Sequence, residues 1–194
     1  MVYPSDKHQQ EEFIMDNLVK IKKISRSLHL LFTALLVCIP LYYALFWIFI
    51  NELPQSFINI NTSSTPLVQH ELSPGLRSAG FLASLLPLSV LFYVVSRIRR
   101  LFSYYKDGRI FSFGHVDLFK RIARGLLLWI VSSMVYESAK SIIFSFNNPP
   151  GHRVVTVGFS SAEITTLLTG IMVLIIAWVM DEGRLLNEEK ELTI

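Results

Sequence analysis

Four long apolar stretches constrain this chain more than any other feature of its sequence. They cover about residues 29–50, 79–96, 125–146 and 164–180. A helix rises about 1.5 Å per residue, so about 20 apolar residues cross the roughly 30 Å hydrocarbon layer of a membrane. Within that layer every backbone amide must be hydrogen-bonded inside the protein, which favours helices. The sequence therefore predicts an all-α, four-helix transmembrane bundle.

We expect residues 1–194 to form a single integral membrane domain. Two outer loops, 51–78 and 147–163, an inner loop, 97–124, and a cytoplasmic tail, 181–194, would connect and follow the spans. Residues 1–28 place apolar side chains at helical intervals with lysines opposite, which predicts an amphipathic cytoplasmic helix. That helix could lie on the inner leaflet or pack on a partner, and its charge pattern favours the membrane surface. Because the first apolar run follows some 28 largely polar residues, we do not expect a removable signal peptide.

The positions of Lys and Arg predict how the chain is oriented. Cytoplasmic connections hold an excess of these residues near the membrane. Here they concentrate before the first span, between the second and third spans and after the fourth, whereas each outer loop holds one, Arg77 or Arg153. Both termini should therefore be cytoplasmic. The formal net charge of +3 then reflects topology, with the lipid bilayer as the partner and no direct nucleic-acid binding.

Local signals mark where helices begin and end. Ser73 and Pro74 fit an N-cap followed by proline in the first helical position. Asp107 and Gly108 predict a turn in the inner loop. Ser160 and Glu163 have the spacing of a capping box for the fourth helix.

The third span carries an acid and a base, Glu137 and Lys140, near its middle. One ionised side chain at helix centre costs about 2.5 to 3.5 kcal/mol, but residues three apart lie on one helical face and can pair. We predict an intramembrane polar cluster that faces the bundle, made of Ser133, Glu137, Lys140, Ser141, Tyr43, Ser84 and Thr169. Three interpretations stay open: a structural ion pair, a substrate or ion site, and a proton-coupled switch.

Little in the sequence indicates catalysis. No nucleophile, base and orienting group can be assembled at matching depth, so we do not expect an enzyme or catalytic residues. Cys38 is the single cysteine and lies inside the first span. The histidines are scattered, without the spacing of metal ligands or the paired placement that haem requires, so no metal or cofactor is expected: His8, His29, His70, His115 and His152.

Three segments resemble a known family. "YKDGRIFS", "LFKRIARG" and the ending "IAWVMDEGRLLNEEKELTI" resemble the YoaS-like family of small bacterial four-span membrane proteins, a domain of unknown function. The resemblance implies an inner-membrane protein encoded beside small helix-turn-helix regulators, and hence a cytoplasmic partner of that kind. Where the family tends to have Asn after "IFS", this chain has His115. The residues that carry the resemblance predict a partner-docking inner face: Gly108, Ile110, Phe111, Ser112, Gly183, Leu186, Glu189 and Leu192.

Two functions from different classes follow. The first is a non-enzymatic interaction or regulatory protein that docks a cytoplasmic partner on its inner face. The alternative is a small transporter or channel with a midplane site at Glu137 and Lys140. Four spans leave little room for a pore within one chain, so the alternative requires a homo-oligomer.

Overall fold

The computed structural model describes residues 4–54, 71–108, 113–157 and 161–192, and its side chains are described for 15–54, 71–108, 114–157 and 161–186. Within this part of the chain there are four helices: α1 (Pro4–Ile48), α2 (Pro74–Lys106), α3 (Phe113–Ser145) and α4 (Ser161–Leu192). Each contains a segment long and apolar enough to cross a membrane. The predicted all-α class with four spans is confirmed by length and composition, which indicates a multi-pass membrane protein.

The helices are longer than the apolar stretches that predict them. α2, for example, runs from Pro74 to Lys106, past both ends of the stretch 79–96. Helical hydrogen bonds join backbone groups and continue where side chains become polar, so hydropathy marks only the central part of each helix. α1 likewise has no break between residue 4 and the first span. The N-terminal segment is therefore continuous with the span.

The local signals for helix ends are confirmed where they are described. Ser73 caps α2, its side-chain oxygen accepting a hydrogen bond from the Leu76 amide at 3.4 Å, with Pro74 in the first turn. α2 ends in a turn at Asp107 and Gly108, and Gly108 has φ of +77°, a left-handed conformation that favours glycine. Ser160, half of the predicted capping box, lies outside the described residues.

Each helix packs against its neighbours in sequence. α1 contacts α2, α2 contacts α3, and α3 contacts α4. In the described part of the chain no Cα of α4 lies within 8 Å of a Cα of α1 or α2. Aromatic side chains join α1 to α3, as where the Trp47 and Phe144 rings lie 5.8 Å apart. The helices therefore form an antiparallel row in which α4 is held by α3.

The two ends of this row have different connections. Lys22 of α1 lies against Gly108 at the end of α2, and Lys120 of α3 pairs with Asp181 of α4. We call this the termini end. At the opposite end the Asn51 side chain donates to the Leu72 carbonyl at 3.2 Å and accepts from the Leu72 amide at 3.0 Å, which joins α1 to the start of α2.

Glycines let the helices approach closely. The Trp47 indole occupies the space where a Cβ on Gly80 would lie, and Trp47 is only 2% exposed. Val94 packs in the same way on Gly125, between α2 and α3. Small residues at helix contacts are typical of membrane proteins, in which packing rather than exclusion of water drives association. The outward surface is strongly apolar, as lipid contact requires, with large side chains exposed on every helix: Val37, Leu82, Val135, Leu168 and Val179.

Candidate intramembrane charged site and termini end

The acid and base of the third span form an ion pair. Lys140 Nζ lies 2.6 Å from Glu137 Oε1 on consecutive turns of α3. The Lys140 side chain is 15% exposed and the Glu137 side chain is 28% exposed. A charged hydrogen bond of this length in a low-dielectric layer largely cancels both formal charges. α3 therefore carries a compact dipole rather than two independent charges.

Aromatic side chains enclose this pair on the side of α1. Lys140 Nζ lies 5.4 Å from the centre of the Tyr136 ring, within range of a cation–π interaction. The Tyr136 ring in turn lies 6.4 Å from that of Tyr43, which the sequence assigns to the polar cluster. Tyr136 itself was missed by sequence reasoning, although its position four residues before Lys140 on the same helix was the signal that could have identified it.

One carboxylate oxygen of the pair has no partner in the described part of the chain. Glu137 Oε2 is buried and makes no hydrogen bond there, while Oε1 accepts from Lys140. A buried carboxylate oxygen without a donor is costly. This oxygen is the atom at the site with unused capacity to bind a donor.

Three other residues of the predicted cluster bond to their own helices. The hydroxyl of Ser133 donates to the Ile130 carbonyl at 2.9 Å, and that of Ser84, which is fully buried, donates to the Phe81 carbonyl at 2.6 Å. Thr169 donates to the Thr165 carbonyl at 2.8 Å and is exposed on α4. Since no described Cα of α4 lies within 8 Å of a Cα of α1 or α2, Thr169 is not brought beside Tyr43 or Ser84 in the described part of the chain.

Ser141 was predicted to belong to the polar cluster, but its hydroxyl makes hydrogen bonds within α3 and to the loop that follows α3. It is fully buried, donates to the Ser138 carbonyl at 2.8 Å and accepts from the Thr156 amide at 3.0 Å. One turn later, Ser145 Oγ contacts both the Val154 amide and its carbonyl at 3.1 Å. These two hydroxyls bind the segment after Gly151 to the end of α3. Part of the polar surface of α3 therefore stabilises the loop that follows this helix.

Only some of the predicted docking residues are described. Gly108 forms the turn against Lys22, and Gly183 and Leu186 are exposed on α4. Glu189 and Leu192 belong to the last turns of α4, and their side chains are not described. Ile110, Phe111 and Ser112 lie outside the described residues.

The termini end is braced by contacts between helices. His115 at the start of α3 is fully buried, with its ring centre 5.4 Å from that of Tyr104 and 5.0 Å from that of Tyr105 on α2. Lys120 of α3 lies 2.7 Å from Asp181 of α4, which also contacts Arg184 at 3.4 Å. These contacts fix the ends of α2, α3 and α4 relative to one another.

No metal centre is evident in residues 15–54, 71–108, 114–157 and 161–186. Three or more His, Cys, Asp or Glu side chains do not come together there in a group that could hold an ion. Cys38, on α1, is exposed toward the lipid-facing surface.

Comparison with known proteins identifies the chain at the level of family. A family described as "Protein of unknown function (DUF2975)" matches residues 56–194, a segment that begins before α2 and runs to the end of the chain. No curated protein and no solved structure matches it. The narrower resemblance to YoaS-like proteins stays a prediction. Because the match covers well over half of the sequence, this protein belongs to the DUF2975 family.

Proposed function

We propose that this is a non-enzymatic multi-pass protein of the bacterial inner membrane whose termini end faces the cytoplasm and docks a cytoplasmic protein. The observation that carries the proposal is the extension of α1 beyond the rest of the helical row. α1 meets the end of α2 at Lys22 but begins at Pro4. The intervening residues span about 27 Å of helix at 1.5 Å per residue.

This extension presents apolar surface away from the other helices. Met15 and Val19, one turn apart on the same face of α1, expose 68% and 64% of their surfaces. The candidate span of α1, Met15–Ile48, contains 34 residues, well beyond the about 20 that hydrocarbon requires, so its first turns lie at or outside the membrane boundary. A partner helix packed on this stripe would remove apolar surface from water.

Rigidity of the neighbouring elements supports the same proposal. The His115 and Lys120–Asp181 contacts hold the ends of α2, α3 and α4 in place, so a docking surface there would lose little conformational freedom on binding. The resemblance to YoaS-like proteins suggests a small helix-turn-helix regulator as the partner. Such a partner is largely helical and suits a helical stripe.

Site-specific crosslinking tests the docking surface. A photoreactive residue at Met15 or Val19 should capture one discrete cytoplasmic protein in native membranes, and Val19→Asp should abolish its capture from position 15. The same probe at Leu168, an exposed apolar residue of α4, is the matched control and should give lipid adducts. Lipid adducts alone from position 15 would refute docking by α1. Deletion of residues 183–194 without loss of the captured protein would exclude the tail from the dock.

Cysteine labelling tests the orientation. In a Cys38→Ala background, Asp107→Cys at the termini end should react with an impermeant thiol reagent only from the cytoplasmic side. Glu71→Cys at the opposite end should react only from outside. Both positions are exposed. The reverse pattern would place the docking surface outside the cytoplasm and overturn the proposal.

The alternative function, a small transporter or channel acting as a homo-oligomer, is favoured by one observation. Glu137 Oε2 is buried without a partner in the described part of the chain and could bind a cation or a donor group of a substrate. Proton or cation flux in liposomes should then fall with Glu137→Gln. Flux that does not respond to this change would remove the alternative.

A further inference from the structure

A basic groove lies between α1 and α2 at the termini end. It consists of two adjoining hollows of about 480 and 460 Å³ that share His29 as a wall. Arg26 and Lys106 line the first hollow, and the second is lined by three arginines of α2: Arg97, Arg99 and Arg100. The lining of the groove thus contains five cationic side chains and a single carboxylate, that of Asp107. The groove carries a large excess of positive charge.

These five cations differ from other basic residues at the same end. Lys20, Lys120 and Arg121 each lie 2.6 to 2.7 Å from a carboxylate. The groove cations have no such carboxylate among the described residues. Like charges held together without counter-charges repel one another, so an anion bound among them would relieve that repulsion.

Two of the arginines lie close to aromatic rings of α2. The Arg97 guanidinium lies 4.8 Å from the centre of the Tyr93 ring, and that of Arg100 lies 5.9 Å from the centre of the Tyr104 ring. Arg97 Nε is buried and makes no hydrogen bond within the described part of the chain. A guanidinium carries its N–H groups in a planar fork that suits two oxygens of one phosphate.

The membrane-centre side of the groove is apolar. Leu36 lies seven residues beyond His29 on α1, about 10 Å deeper at 1.5 Å per residue, and Phe92 precedes the arginines of α2. Phe92 exposes 47% of its surface. The groove thus presents cationic donors at one level and exposed apolar side chains below them.

We propose that this groove is a binding site for one anionic phospholipid. Its phosphate lies among Arg97, Arg99 and Arg100, and its acyl chains run past Phe92 and Leu36. A free phosphate offers the same oxygens to the arginines but leaves the apolar wall uncovered. The layered arrangement matches the polarity profile of a lipid that enters from the leaflet at the termini end. This site is separate from the apolar stripe of the α1 extension.

Native mass spectrometry of the full chain in neutral detergent tests the site. Arg97→Gln with Arg99→Gln should weaken retention of phosphatidylglycerol by at least about tenfold, because each lost charged hydrogen bond contributes appreciably. Arg97→Lys with Arg99→Lys keeps the charge, removes the fork and should give an intermediate loss. The matched control, Lys23→Gln with Arg124→Gln, removes two exposed charges outside the groove and should change retention by at most about threefold. Phosphatidylcholine of equal chain length should bind more weakly than phosphatidylglycerol.

Three results would overturn the proposal. An equal loss in the groove and control variants would show that the lipid responds to overall charge and not to this site. Displacement of phosphatidylglycerol by millimolar inorganic phosphate would assign the groove to a soluble phosphate instead. If the glutamine variant fails to fold, the lysine variant decides, since wild-type retention there would show that the guanidinium forks have no part in binding.

Discussion

The ion pair within α3 gives the sharpest test of how this protein is built. Replacing Glu137 or Lys140 alone with leucine leaves the other charge in a low-dielectric environment, whereas replacing both removes the charges together. Loss of one partner from a buried pair costs about 3 to 5 kcal/mol, and an apolar replacement of both is close to neutral. We expect each single variant to be strongly destabilised and the double variant to recover most of the loss.

The geometry also predicts an order for the two single variants. In Glu137→Leu, Lys140 keeps the Tyr136 ring at 5.4 Å and can extend its long side chain toward the membrane surface. In Lys140→Leu, Glu137 loses its donor at Oε1 while Oε2 already has none in the described chain. Lys140→Leu should therefore be the less stable of the two. At about 2 to 4 °C per kcal/mol for a chain of this length, the single losses amount to roughly 6 to 20 °C in Tm.

Thermal unfolding in a mild detergent measures these effects as a double-mutant cycle. Asp16 and Lys20 provide a matched control, because their atoms are also 2.6 Å apart but their side chains are 60% and 65% exposed. Lys20→Leu should cost less than about 1 kcal/mol. If the double variant instead falls by the sum of the two single losses, Glu137 and Lys140 do not interact energetically, and their interpretation as a coupled pair is refuted.

Two further predictions concern packing and loop attachment. Gly80→Ala should lower the free energy of unfolding by about 1 to 3 kcal/mol, because the new methyl group meets the buried indole, whereas Gly75→Ala, with nothing within 4 Å, should change it by less than about 1 kcal/mol. Equal effects of the two substitutions in a thermal unfolding assay would contradict close packing of the indole on Gly80. Ser145→Ala should speed amide hydrogen exchange at Val154 about fivefold or more, since it removes about 1 kcal/mol of hydrogen bonding. Ser89→Ala, whose hydroxyl bonds its own helix, should leave exchange at Val154 unchanged.

Features set by neighbouring residues could be predicted from the sequence. The four helices follow from apolar stretches of the length that crosses a membrane, the start of α2 follows from Ser73 and Pro74, and its end follows from Asp107 and Gly108. The contact of Glu137 with Lys140 is of the same kind, because a spacing of three fixes their relative position once the helix forms. Each of these inferences needs only helical geometry and local hydrogen bonding.

Which helix faces meet was decided by the tertiary structure. In a membrane, lipid tails are about as apolar as leucine, so hydropathy does not distinguish a helix face that contacts protein from one that contacts lipid. The sequence therefore placed Thr169 beside the charged pair, whereas the row arrangement puts it on the exposed side of α4. The packing of α1 against α2 likewise creates the groove, whose two hollows are lined by Arg26 of α1 and Arg97 of α2. Contacts of this kind depend on how side chains such as Trp47 fit against a particular glycine, and no spacing along one helix determines that fit.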